Sequence, residues 1–271
     1  MRIRIRHETR YRYDGPVDYA AQVVRLTPRD HEGQRVLSWR VADGSGRMLS
    51  GFEDGYGNRS HLVTLARRHE ESSIVVTGEV ETADTSGVVA GAIDPLPSLY
   101  FLRRTEATTP DAAIEALARA QEGVADPVER LHRLMLDVRA RVAYEIGSTS
   151  VATSAAEALA RGRGVCQDHA HVLIASSRLL GFPARYVSGY LWDGSLTGPA
   201  EASHAWAEVR IPGLGWVGLD AANGVSPTAS YVRIATGLDY ADAAPVRGIR
   251  RGGAGETLAV SVEVQQVQAQ Q

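Results

Sequence analysis

The chemistry-bearing residues of this chain are Cys166, His204 and Asp220, in that order. Cys166 is the only cysteine in 271 residues. It follows a glycine-rich turn, Gly162-Arg163-Gly164-Val165, and precedes an apolar run in which Ala170, Leu173, Ile174, Ser177 and Leu180 share its helical face. Cys166 should therefore open a helix. The unpaired N–H groups and partial positive charge of a helix start favour thiolate over thiol and can stabilise an oxyanion. A lone cysteine without partners is more often a small buried hydrophobe. The catalytic case rests on what comes near it.

In the stretch ASHAWAEVRI, strand alternation puts His204, Trp206, Glu208 and Arg210 on one face and Ala205, Ala207 and Val209 on the other. A neutral His204 beside Cys166 could take the thiol proton, the usual activation of a sulfur nucleophile. A third group must then hold the ring. Asp220, at the end of GWVGLD, is one candidate. If Pro212 to Gly215 is a simple four-residue hairpin loop, however, Ile211 pairs with Trp216, Ala207 faces Asp220 and His204 faces Asn223. Asn223 is then the alternative orienter, whereas a bulge or a shorter ladder brings Asp220 back. Spacing alone leaves both open.

Cys166, Asp168, His169 and His171 also suggest a metal site. On a helix, residues two apart project in nearly opposite directions, so His169 and His171 do not close on one ion. No metal is expected there. The turn before Cys166 lacks the lysine and hydroxyl of a phosphate-binding loop.

Net charge is -3, from 29 basic and 32 acidic residues, so no global field recruits nucleic acid or an anionic membrane. A single cysteine fits a reducing compartment. The opening MRIRIRHETRYRY lacks the apolar core of a signal peptide. These features point to the cytoplasm. The oligomeric state is not readable.

The supporting elements fall into two units. Ile3, Ile5, His7, Thr9, Tyr11 and Tyr13 alternate with Arg2, Arg4, Arg6, Glu8, Arg10 and Arg12, the pattern of a half-buried antiparallel strand with a solvated arginine row. Further strands are expected at 22–26, 35–41, 47–52, 60–65 and 73–81. They make an N-terminal β-sandwich-like domain over residues 1–92. Residues 94–110, with three prolines, read as the passage to a second domain, 93–271. Helices follow, with Thr109-Pro110 expected to start the first and Asp126-Pro127 the second. Val128, Leu131, Leu134, Met135 and Val138 make the apolar stripe of the second. Ser154 with Glu157 caps a third, which stops at Gly162. Strands return in ARYVSGYLW, ASHAWAEVRI and GWVGLD. The whole is α+β, helices packed on an antiparallel sheet, with a C-terminal strand at GETLAVSVEVQQV assigned to the second domain and a frayed tail at 268–271.

With these motifs in place, the chain resembles the bacterial transglutaminase-like family, within the papain-like thiol enzymes. The residues that carry the resemblance are GRGVCQDHAHVLIASSRLLGFPARYVSGYL around Cys166, ASHAWAEV around His204 and GWVGLDAANG around Asp220. MRIRIRHETRYRYDGPV and the YGN at Tyr56 to Asn58 resemble the β-rich domain that often precedes this core in bacteria. The resemblance implies Cys166 as nucleophile, His204 as base and Asp220, rather than Asn223, as orienting acid. It departs from the family at DAANG, where proline and then threonine commonly follow the aspartate; the change touches loop rigidity more than chemistry.

The expected activity is acyl transfer on an amide of a peptide or protein through a Cys166 thioester, resolved by water or by an amine. One oxyanion donor is the Cys166 backbone N–H; Gln167, Tyr144 and Trp206 are candidates for the second. No cofactor is implied; some animal relatives use calcium, but no EF-hand-type loop is present. A core retained only as a binding or scaffold module is the alternative, and it would be favoured by loss of one of the three residues. The N-terminal domain is expected to cover one edge of the core rather than to recognise substrate.

Overall fold

The computed structural model describes residues 1–194 and 203–267. Ala202, the first residue of the His204 stretch, and the expected frayed tail at 268–271 lie outside the described residues.

The alternating opening is the backbone of the first sheet. Strand β1 runs from Arg2 to Thr27, and its burial alternates as the sequence predicts, with Ile3, Ile5, His7, Thr9, Tyr11 and Tyr13 inside. The arginine row is solvated and ion-paired: Arg2 and Arg4 reach Glu79, and Arg10 reaches Glu8. Such surface pairs add little stability each. Strands β2 (Gln34–Asp43), β3 (Gly51–Glu53), β4 (Arg59–Leu65) and β5 (His69–Thr82) complete the N-terminal part. The strand expected over 47–52 is reduced to β3, because the Asp43 carboxylate turns the preceding residues back by accepting from the Ser45 and Arg47 N–H groups.

The sheet is antiparallel and seven-stranded, ordered β2-β5-β1-β4-β3 with two further strands on β1. Those two are β13 (Val246–Gly252) and β14 (Glu256–Gln266). The C-terminal strand, expected with the second unit, therefore belongs to the first sheet, where Ile5 pairs with Val264 and Tyr11 with Leu258. The first half of β1 lies between β5 and β14, the second half between β4 and β13. Ile3 and Ile5 from one half share a buried cluster with Val24 and Leu26 from the other, so the sheet curls over a single core. Tyr190, Val232 and Ile234 of the second sheet close that core.

The second sheet has the order β12-β9-β10-β11-β6. Its members are β6 (Val88–Val89), β9 (Ala184–Leu191), β10 (Ser203–Ile211), β11 (Gly215–Leu219) and β12 (Tyr231–Gly237). Helices α1 (Ala112–Arg119), α2 (Pro127–Arg141), α3 (Ala155–Arg161) and α4 (Cys166–Leu179) pack on it. A short α5 (Tyr240–Ala243) follows β12. The α1 cap is Asp111, not Thr109: its carboxylate accepts from the Ile114 N–H, so Pro110 falls just outside the helix. Asp126 and the Ser154–Glu157 box cap α2 and α3 as expected. The passage at 94–110 forms two 3-10 turns and is packed, not loose. Phe101 is buried edge-on to Trp216, and its carbonyl accepts from buried Arg178.

The central helix is α4, in which every residue from Gln167 to Arg178 is buried. It is enclosed by the other helices on one side and by Ala205, Ala207 and Val209 of β10 on the other. Rather than a rim with one apolar stripe, it is the axis of the unit. Among the described residues, no helix is long and apolar enough to cross a membrane.

Candidate active site

Cys166 is the first residue of α4 and is half-buried. The segment before it is set by two glycines. Gly162 ends α3 in the left-handed conformation, with φ of 65°, where a side chain would be strained. Gly164 faces the carboxylate of Asp168, and a Cβ there would lie 2.6 Å from Oδ2. Oδ2 of Asp168 accepts from the Val165 N–H at 2.8 Å and from the Thr149 hydroxyl at 2.6 Å. Asp168 thus reaches back from the first turn of α4 to fix the residue before the sulfur. Strands β7 (Ala143–Tyr144) and β8 (Arg163–Gly164) pair in parallel and hold the same turn from the other side.

His204 and Asp220 come from the hairpin of β10 and β11. Ile211 pairs with Gly215 and Arg210 with Trp216, so the loop has three residues, Pro212-Gly213-Leu214, and not four. That one-residue difference decides which side chain accepts from the His204 ring. Ala207 pairs with Leu219 instead of Asp220, which moves Asp220 to the face carrying His204 and Trp206. His204 Nε2 donates to Asp220 Oδ2 at 2.7 Å. Asn223 does not take this role. Its Nδ2 donates to the same Oδ2 at 2.7 Å and lies 3.4 Å from His204 Nε2, a neighbour of the ring rather than its acceptor.

Asp220 is completely buried and fully partnered. Oδ2 also accepts from the Tyr231 hydroxyl at 2.7 Å, and Oδ1 accepts from the Ala222 and Asn223 N–H groups at 3.0 and 3.2 Å. Burial opposes its charge, but these donors and the His204 ring hold its carboxyl below the usual range. The same balance governs His204. Burial disfavours its charged form, yet hydrogen bonds to Asp220 and Cys166 and their charges push it up to about 10. Nε2 being taken by Asp220, Nδ1 is left to meet the sulfur. The ring lies between the Cys166 sulfur and the Asp220 carboxylate, and both favour its protonated form.

The other predicted donors separate. Cys166 and Gln167 line one cavity with His204, Tyr186, Tyr190 and Tyr240, whereas Tyr144 and Trp206 are not among its described lining residues. Gln167 donates its side-chain amide to the Val151 carbonyl at 3.2 Å. Tyr144 is exposed, and its ring lies 6.1 Å from that of His169. Trp206 is buried; its indole stacks on His204 at 6.3 Å between centroids, and its ring nitrogen lies over Gly218. It walls the imidazole instead of facing the cavity.

The residues weighed as metal ligands point to different partners. Asp168 caps α4, and the ring nitrogens of His169 lie 2.9 and 2.8 Å from the Val165 and Val142 carbonyls. His171 accepts from the Tyr240 N–H at 3.1 Å and is pushed down to about 3 by burial. No group of three acidic, histidine or cysteine side chains able to hold an ion occurs among the described residues.

Sequence reasoning missed Tyr231. It lies beyond the hairpin, and no local pattern ties a tyrosine on β12 to a carboxylate at the end of β11.

Residues 115–221 match the transglutaminase-like superfamily, and residues 3–81 match the bacterial transglutaminase-like N-terminal region. An uncharacterised protein of Mycobacterium leprae is 30% identical over 275 residues, covering 97% of this chain and 98% of its own. One from Mycobacterium bovis, also uncharacterised, is 32% identical over 273 residues, covering 92% and 87%. A solved structure from Cytophaga hutchinsonii, described as a candidate cysteine protease, superposes with a TM-score of 0.80 at 24% identity and covers 100% of this chain and 92% of its own. That likeness concerns the fold.

Proposed function

The chain belongs to the transglutaminase-like superfamily, and we propose that it is a thiol enzyme cleaving or exchanging amide bonds through an acyl thioester on Cys166. The observation that carries this reading is the His204 ring held between Cys166 and Asp220 and pushed up to about 10.

In the first half-reaction the Cys166 sulfur, its proton having passed to His204, attacks the amide carbonyl as a thiolate, and the oxyanion is met by N–H groups at the start of α4, those of Cys166 and Gln167. The imidazolium of His204 gives its proton to the amide nitrogen as the C–N bond breaks, and the amine leaves. In the second, neutral His204 takes a proton from water or from an incoming amine that attacks the thioester, and the sulfur departs. Asp220 keeps its charge throughout and supports the cationic ring. A peptide or protein amide is the substrate, and a reducing compartment, the cytoplasm, suits a sulfur nucleophile.

The experiment is a peptide library incubated with the protein, with and without a primary amine, and read by mass spectrometry. Cleaved or deamidated peptides identify hydrolysis, and amine-tagged peptides identify transamidation. A library unchanged in both arms, or changed equally by Cys166→Ala, refutes the proposal.

A further inference from the structure

The cavity that reaches Cys166 and His204 has a volume of about 460 Å³ and draws its lining from both sheets. From the first sheet come three directly paired positions of β1 and β14: Tyr11 with Leu258, Thr9 with Val260, and His7 with Val262. Directly opposed residues in an antiparallel pair share one face, so the three pairs form a continuous wall.

The His7 ring in that wall is satisfied on both sides. His7 Nδ1 lies 2.8 Å from the Tyr190 hydroxyl, and its Nε2 lies 2.9 Å from the Thr9 hydroxyl. Burial holds the His7 ring down to about 4, so it is uncharged at neutral pH. No Asp, Glu, Lys or Arg occurs among the described lining residues.

Part of the wall, on β14, is exposed, whereas His7, Thr9, Tyr11 and Val262 are buried. Leu258 and Val260 are 52% and 45% exposed, although alternation gives β14 a second face, with Thr257, Ser261 and Glu263, better suited to water. An apolar strip left open beside a cavity marks a place where something apolar binds.

We propose that the N-terminal sheet is the specificity wall of the site, with Tyr11, Leu258 and Val260 receiving an aliphatic or aromatic side chain of the acyl donor. This rests on the thiol-enzyme reading above, because the side chain in question belongs to the residue whose carbonyl Cys166 attacks. An apolar side chain gains by leaving water for this wall. A carboxylate or ammonium held against this wall would lose its hydration and find no opposite charge in the three strand pairs, and the cationic lining group, His204, is already paired with Asp220. The sheet thus does more than cover an edge of the core.

The test uses the full chain carrying Cys166→Ala, titrated calorimetrically with N-acetyl-Ala-Ala-X-amides in which X is Leu, Phe, Glu or Lys. Leu and Phe peptides should bind at least about tenfold more tightly than Glu and Lys peptides. Leu258→Asp and Val260→Asp, each on an exposed edge strand, should remove that preference, and Leu258→Lys should improve binding of the Glu peptide. Circular dichroism and thermal melting establish that the variants fold. Equal affinity for the four peptides, no binding by any at millimolar concentration, or a preference unchanged in the folded variants overturns the proposal.

Alkylation of Cys166 by iodoacetamide, with and without His204→Ala, examines the thiol reading with no peptide present. If His204→Ala leaves alkylation unchanged while the binding preference stands, the catalytic reading alone fails. If His204 matters and no peptide preference is found, the wall alone fails.

Discussion

Asp220 Oδ2 lies 2.7 Å from His204 Nε2 because the hairpin joining them turns in three residues, Pro212 to Leu214. A fourth loop residue would put the carboxylate on the face of Ala207, away from the ring. Three side chains converge on that one oxygen, those of His204, Asn223 and Tyr231.

Asp220→Asn preserves the shape of this cluster but removes the negative charge that supports the imidazolium. The turnover rate on an amide substrate should fall by about 10³-fold or more with little change in KM. Tyr231→Phe removes one of three donors to the same oxygen and leaves the charge, so its loss should be far smaller. Steady-state kinetics on the two variants check the ranking; equal losses would contradict it.

His204 should hold its proton to about pH 10. Because its pKa is raised on folding, its contribution to stability is complete below its unfolded value of about 6.5. It is withdrawn as pH rises through about 10. Ring-proton NMR follows the titration directly, and urea unfolding between pH 6 and 10.5 should show stability declining over that window. Cys166→Ala removes one of the groups that raise the ring, so its midpoint should move down.

Gly164→Ala brings a methyl group against the Asp168 carboxylate, 2.6 Å from Oδ2. Asp168 must then release the Val165 N–H, the bond that fixes the residue before Cys166. Loss of such a cap costs about 1 kcal/mol. The larger effect should be on chemistry, a drop in alkylation of Cys166 at fixed pH out of proportion to the shift in Tm.

Glu208, fully buried on β10, pairs with Arg185 at 2.7 Å and Arg233 at 2.6 Å, and Arg185 stacks on Trp216 at 3.9 Å. Glu208→Ala takes the main partner from buried Arg185, leaving it Asp94 at 3.3 Å, and from partly buried Arg233, and should cost about 3 kcal/mol, read by urea unfolding. Burial opposes the charge of Glu208, but the two arginines dominate and hold its carboxyl down to about 2. That stability is present above the unfolded value of about 4.3 and is lost as pH falls from there toward about 2. The variant should lose the corresponding part of the acid transition.

Much of this arrangement was legible in the sequence, for physical reasons that can be named. The alternation of Ile3 to Tyr13 needs only the two-residue period of a strand, and the start of α4 at Cys166 follows from the glycines before it and the helical spacing after it. The orienter was not legible from spacing, because a loop shorter by one residue flips every following side chain. Nor was the pairing of β14 with β1 legible, since a strand separated from its partner by the whole chain carries no local mark of it. Tyr231 and the wall at Leu258 and Val260 depend on the same kind of distant pairing.

The most direct measurement of the central claim is the intact mass of the protein, acid-quenched milliseconds to seconds after mixing with an amide substrate found in the library assay. The account predicts a transient gain equal to the acyl group, located on Cys166, absent in Cys166→Ala and formed at least about 10²-fold more slowly in His204→Ala. Substrate turnover by Cys166→Ala at the wild-type rate, or an acyl adduct elsewhere with Cys166 unmodified, would contradict it.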